Sequence, residues 1–264
     1  MIRIEKGEAP AVLLGDGVTR ACEHCDTFDN DAPYFLGGKP VPVSSDLYGH
    51  ETVRNALADA QHGKCCYCEV RIVPPYMDGH VEHWRPKGRV RQERGQPSFY
   101  PGDYWLAYAW DNLLLACQAC NRNFKSDQFP LADPAQRARD HHHNLHAEQP
   151  LLVKPDRDDP AVHIRWEEDH PFALTPEGEV TIRVVGLIRE LDPSRGEVLT
   201  KVRAAVSRIK KYGEDGSPSV QELLEPDREH LRAAVLKSAP HSAMVRAYLL
   251  ALGFVPDPGP PAAA

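Results

Sequence analysis

The sequence predicts an α+β protein whose core is tied by a four-cysteine zinc knuckle, with a mainly helical C-terminal region that carries a small β element. Two Cys-x-x-Cys turns, Cys65/Cys68 and Cys117/Cys120, offer four thiolates, the donor set of a closed tetrahedral structural zinc site. Apolar residues recur at helical spacing in several segments, separated by shorter pieces with strand-like alternation. At 264 residues, 42% of them hydrophobic, the chain can bury a real core in one large or two small domains.

Taken in order, residues 1–48 are rich in turn formers and acids and read as an irregular N-terminal arm. Residues 49–62 place Val53, Ala56, Leu57 and Ala60 on one face, so a short helix delivers the chain to the first knuckle. The stretch 81–85 reads as extended and stops at Pro86, where a basic loop containing Gly and Pro begins. YWLAYAWDNLLLACQACNRNFK reads as mostly helical, interrupted at the second knuckle, and completes a core spanning 49–130. Residues 131–253 form a C-terminal α/β region, the expected docking surface. It starts with an Asp/His-rich connection whose His141, His142 and His143 read as a solvated loop in preference to a metal site. HIRW and EVTIRVV, the latter alternating Val180, Ile182 and Val184, read as β pieces set apart by the turn signal PEG. Leu199, Val202, Val206 and Ile209 step along an amphipathic helix over 195–211, and two more helices are expected near 219–237 and 241–252. The tail, 254–264, is expected to be disordered.

A net charge of -7 excludes a protein that coats nucleic acid by bulk attraction. Positive charge is instead concentrated in 85–94 (Arg85, Lys87, Arg89, Arg91 and Arg94) and in 195–211, where any phosphate-binding surface is expected. No apolar run approaches the roughly 20 residues of a membrane span, which points to the cytoplasm. There, Cys-x-x-Cys spacing reads as metal ligation before disulfide. Cys66 reads as a packing residue, and Cys22/Cys25 as two free thiols or a second zinc pair without evident partners. The aromatic residues between Phe99 and Trp110 read as core in preference to base-stacking platforms.

The four cysteines alone say only structural zinc. Between and after them stand Glu82-His83, Asn112 and Asn121. A carboxylate beside a histidine, together with a carboxamide oxygen, suits one-metal phosphodiester hydrolysis. Hard oxygens hold Mg²⁺ against the scissile phosphate, and a neutral imidazole takes a proton from the attacking water.

CCYC, VEHWRP, WDNLLLACQACN and the nearby Lys125 resemble, in that order, the motif pieces of the HNH endonuclease family, with its ββα-metal fold. The resemblance implies His83 as general base, Glu82 and Asn121 as ligands of a catalytic Mg²⁺ or similar ion, and Asn112 as the residue that holds the histidine loop by hydrogen bonding. Glu82 stands where the family usually has Asp. Arg85, Lys87, Arg89 and Arg91 would meet phosphate; Lys125 would do so or stand on the surface. The longer blocks KCCYCE, EQPLLVKPDRDDP and TIRVVGLIRELDPSR resemble the HNH subunit of retron-associated and Septu anti-phage systems. That implies a nuclease effector acting on DNA, or on RNA, beside an ATPase of the ABC or SMC-like type. The competing readings are a nucleic-acid-binding module and an interaction subunit, each zinc-stabilised and without catalysis.

Overall fold

A computed structural model of the protein describes residues 1–72, 79–189 and 193–254. Its N-terminal segment is helical: a wide turn, Leu13–Gly17, runs into α1 (Val18–Asn30), and α2 (Ala32–Leu36) follows. This corrects the reading of 1–48 as an irregular arm. The buried positions Leu13, Gly17, His24 and Phe28 form one helical stripe. Apolar periodicity missed it because a glycine and a histidine make up half of it. Phe28 stacks on Tyr104 at 5.2 Å and, with Phe35 and Val41, pins the N-terminal helices to the rest of the molecule.

Helix α3 (Glu51–Ala60) buries Val53 and Leu57, and its entry is capped by His50, whose side chain accepts from Thr52 N. Gln61, just past its end, is buried and fixes the next strand: its amide donates to the Leu115 carbonyl at 2.8 Å and its Oε1 accepts from Leu115 N at 2.8 Å. Strand β1 (Gly79–His83) pairs antiparallel with β2 (Leu113–Cys117), Glu82 opposite Leu114 and His83 opposite Leu113. The strand β2 corrects the expectation of a mostly helical segment there. Its residues are buried on both faces: Leu113 and Leu115 pack with α3, while Leu114 and Ala116 pack with the knuckle. A strand covered on both sides loses the alternation that would reveal it. The helical turns Ala119–Lys125 follow directly.

Beyond them, β3 (Ile164–Glu167) and β4 (His170–Ala173) form a second antiparallel pair. The segment expected as a strand, EVTIRVV, lies largely within helix α4 (Pro176–Val184). Thr175 caps it by accepting from Gly178 N, Pro176 sits in the first turn with Glu177 and Glu179, and Arg183 is in the last. These end signals outweigh β propensity, and the PEG read as a turn is the helix start. Helices α5 (Pro193–Tyr212), α6 (Pro218–Ala234) and α7 (Ser242–Ala251) share a core of Leu199, Val202, Val206, Leu231, Met244 and Val245. The described residues form the expected α+β mixture with two two-stranded sheets. Among the described residues, no helix is long and apolar enough to cross a membrane. The tail expected to be disordered lies outside the described residues beyond Phe254.

Candidate functional site

Cys65, Cys68, Cys117 and Cys120 are all buried, all unpaired by disulfide, and present their sulfurs within 4.8 Å of one another. With zinc–sulfur bonds of about 2.3 Å a tetrahedron separates its sulfurs by ~3.8 Å. Cys68 Sγ lies 3.7 Å from Cys117 Sγ, so the four thiols can hold a metal such as zinc with little rearrangement. Arg189 donates to Cys120 Sγ at 3.3 Å, and this cation offsets part of the charge that four thiolates would leave around a divalent ion. The first turn is built into the sheet by Cys66 N, which donates to the Leu115 carbonyl, and Cys66 itself is buried packing. Just after it, Glu69 stands at a positive φ of 61° and binds Lys64 Nζ at 2.9 Å, the Met1 ammonium at 2.7 Å and Ser242 Oγ at 2.9 Å. His241 Nδ1 meets the Cys68 carbonyl at 2.9 Å, so the C-terminal helices are fastened to the knuckle as well.

Along β1 a cleft of about 540 Å³ opens, lined by Glu82, His83 and Asn121 together with Lys87, Arg89, Arg54 and Arg122. The structure therefore brings Glu82 and His83 at the end of β1 to the same cavity as Asn121 of the helical turns. Asn112 stands behind them. It accepts from Arg85 N at 2.8 Å and donates to the carbonyls of Arg85 at 3.0 Å and Leu106 at 3.1 Å, clamping the loop after His83 to the one before Asn112. His83 Nε2 lies 2.9 Å from the Ala107 carbonyl. A carbonyl only accepts, so Nε2 carries the proton and Nδ1 keeps its lone pair. The ring meets the edge of Tyr48 at 4.6 Å. Burial, followed by the charge of Lys87, holds His83 well below its ordinary value of 6.5, so it is neutral at pH 7.

Lys125 is wholly buried, 2.5 Å from Glu82 Oε1, and donates to the His83 carbonyl at 2.9 Å. This corrects both readings of Lys125, as a phosphate contact and as a surface lysine. Burial raises the Glu82 pKa, an effect that Lys125 opposes. Arg85 is also corrected: it is buried, paired with Glu148 and 3.9 Å from Asp103, with its guanidinium 4.7 Å over the Phe129 ring. Arg91 and Arg89 share Asp127 Oδ2 at 3.0 and 2.8 Å; Arg89 remains half exposed in the cleft, while Arg91 does not line it. Lys87 stands in the cleft over the Tyr48 ring. Sequence reasoning missed Arg54 and Arg122. Adjacency to Asn121 was a signal for Arg122, and for Arg54 a position on α3 beside the buried Val53.

One glycine matters here. Gly186 has φ +65°, and a Cβ built on it would lie 2.3 Å from the ring of Phe124, so the turn after α4 packs onto the helical turns that carry Asn121.

Three relatives match the chain. A protein from Bacillus mycoides (strain KBAB4) called "Septu protein PtuB" is 34% identical over 204 residues, covering 75% of this chain and 67% of that protein. One called "Septu protein PtuA" from the same strain is 33% identical over 131 residues, 48% of this chain but 18% of that protein. A "Septu protein PtuB" from Bacillus thuringiensis is 31% identical over 77 residues, 29% of this chain and 25% of that protein. No family model and no solved structure matches.

Proposed function

Because this chain belongs to the Septu PtuB family, we propose that it is the nuclease effector of an anti-phage defence complex, a metal-dependent HNH endonuclease that hydrolyses phosphodiester bonds. The observation that carries the chemistry is His83. It is neutral, its tautomer is set by the Ala107 carbonyl, and it lines a cleft with one carboxylate, one carboxamide and several cations. In that role Nδ1 takes a proton from water as the water oxygen bonds to phosphorus, and the P–O bond to the departing sugar breaks. Lys87, Arg89, Arg54 and Arg122 bind the phosphate backbone on either side. Two antiparallel strands followed at once by helical turns support the ββα-metal reading of this core.

Glu82 and Asn121 would hold the catalytic ion. Two oxygen-bearing side chains facing one cleft, with room for phosphate and water, fit Mg²⁺, which takes one or two carboxylates and fills the rest from substrate and solvent. Glu82 Oε1 is taken by Lys125, which leaves Oε2 for the ion. When bound, the ion supplies Lewis acidity at the phosphate and charge for the leaving oxygen. A site of the ββα-metal kind recognises phosphodiester geometry and little about the sugar; DNA is the first substrate to try and RNA the second.

The match to PtuA bears on partners. A stretch like half of this chain occurs inside a protein of which it makes up only 18%, so in that relative a related module is joined covalently to a much larger remainder. This supports a complex between the present chain and a protein supplying such a remainder, for which the sequence resemblance implies an ATPase. The C-terminal α/β region is the proposed docking surface.

The test is plasmid nicking with Mg²⁺, with and without EDTA, for the wild type and His83→Ala, alone and with the co-expressed partner. Loss of a general base costs about 10² to 10⁴ in rate. The expected result is EDTA-sensitive nicking by the wild type and its loss in a variant with unchanged fold and zinc content. Near-wild-type nicking by His83→Ala removes the mechanism, and binding of nucleic acid without cleavage favours a non-catalytic module.

A further inference from the structure

We propose that Asp29, His141 and His142 form a second, open metal site that takes one divalent transition ion, zinc in the first instance. The three side chains come from the end of α1 and from the connection after the core, and their donor atoms lie within 4.8 Å of one another. Each carboxylate oxygen faces one imidazole: Oδ2 is 3.4 Å from His141 Nε2, and Oδ1 is 2.9 Å from His142 Nε2. Tetrahedral coordination with bonds near 2.1 Å separates donors by ~3.4 Å. These spacings run to different oxygens of one carboxylate, so with Asp29 as a one-oxygen donor the exposed His142 ring shifts to reach that spacing from the same oxygen as His141, starting from donors already within 4.8 Å.

The surroundings prepare the His141 ring and the loop that carries His142. His141 Nδ1 is 2.6 Å from the hydroxyl of the buried Tyr104. That hydroxyl can accept Nδ1–H, which leaves Nε2 with its lone pair toward Asp29; an outer partner on the second ring nitrogen is the usual companion of a metal-bound histidine. Asp140 arranges the loop: its Oδ1 accepts from His142 N at 3.0 Å and holds His143 Nδ1 at 2.7 Å, so the third histidine is directed away from the cluster. Asp29 and His142 are 46% and 63% exposed, so an ion can enter without unfolding anything.

Two imidazoles and a carboxylate suit zinc and its neighbours in the first transition row, not Mg²⁺. Three protein donors leave one position for water, unlike the closed four-thiolate knuckle. Bound there, the ion would tie α1 to a loop more than a hundred residues further along the chain, at the point where Phe28 and Tyr104 already stack. The same three residues without an ion would be no more than an imidazole–carboxylate cluster, and the experiment separates the two.

Untagged full-length protein, purified with its knuckle zinc, is dialysed against micromolar Zn²⁺ and the bound metal is counted, with the melting temperature recorded before and after. The wild type is expected to gain one further equivalent and to melt higher. Asp29→Asn and His142→Gln, both at exposed positions, are expected to keep the first equivalent and lose both the second and the thermal shift. Tyr104→Phe is expected to weaken the second equivalent about 10- to 100-fold. A wild type that stays at one zinc per chain overturns the proposal, as does a second zinc that persists in the Asp29→Asn/His142→Gln double variant.

Discussion

Replacing Lys125 with Met should destabilise the protein more than any surface substitution can. Its ammonium is buried, 2.5 Å from the carboxylate of Glu82. At an effective dielectric of ~20, two unit charges at that distance attract by roughly 7 kcal/mol, much of which offsets the cost of taking both out of water. Removing one partner leaves the other charged and uncompensated, a loss of about 3–5 kcal/mol. Lys125→Met also takes the donor from the His83 carbonyl, which argues for the upper part of that range. Glu82→Gln in the same background removes the stranded charge, so the double variant should recover much of the loss and show a coupling energy above about 1 kcal/mol. Urea unfolding followed by far-UV circular dichroism, with zinc retained, measures all three variants. A Lys125→Met protein within 1 kcal/mol of the wild type, or losses that simply add, would refute the claim that this pair holds the floor of the cleft.

Further consequences follow from the same geometry. Serine at Cys117 should cost the protein its knuckle zinc and its cooperative unfolding together, because metal-binding free energy here is folding free energy; metal analysis beside a thermal melt decides it. Asp103, whose buried carboxyl is pushed up from 3.8 to about 7 against the pull of Arg85, keeps its proton in the folded state after the unfolded chain has lost it. It therefore makes stability fall as pH climbs from 3.8 to about 7, and Asp103→Asn should flatten that decline in urea melts taken between about pH 5 and 7. Gly186→Ala should destabilise by about 2–4 kcal/mol, from left-handed backbone strain and a Cβ driven into the Phe124 ring. Because the ring is the obstacle, the alanine should cost markedly less in a Phe124→Ala background, as paired melts would show.

What could be read from the sequence was whatever depends on local spacing. Two residues between cysteines, one between Glu82 and the loop start at Trp84, and nine positions from Asn112 to Asn121 survive folding unchanged, and the structure gathers Glu82, His83 and Asn121 at one cleft. What could not be read depends on partners distant in the chain. Arg85 looked like a phosphate ligand until Glu148, 63 residues away, claimed it, and Lys125 looked exposed until Glu82 did the same. Two of the misjudged segments fail for opposite reasons. Leu113–Cys117 hides a strand behind burial on both faces, and Pro176–Val184 hides a helix behind β-branched residues whose preference is outweighed by its capped ends. The N-terminal stripe needed His24 and Gly17 to be counted as buried, which only their contact with Tyr108 explains.

The charge distribution reconciles an acidic chain with the proposed phosphate-binding role of the cleft. The net charge of -7 is a property of the whole surface, whereas Arg54, Lys87, Arg89 and Arg122 converge on a single cavity from α3, the loop after β1 and the helical turns. Among the described residues that line that cavity, only Glu82 and Asp127 are acidic; Lys125 neutralises the first, and Arg89 and Arg91 share the second. A phosphate already in the cleft thus meets a positive field at contact range. At physiological salt that field decays over about 8 Å, and beyond it the acidic remainder of the surface does nothing to draw a polyanion in. A site of this kind acts on a backbone that is delivered to it and captures one poorly by itself. That division of labour is what the proposed complex would supply: catalytic groups on this chain, and long-range affinity for nucleic acid from its partner.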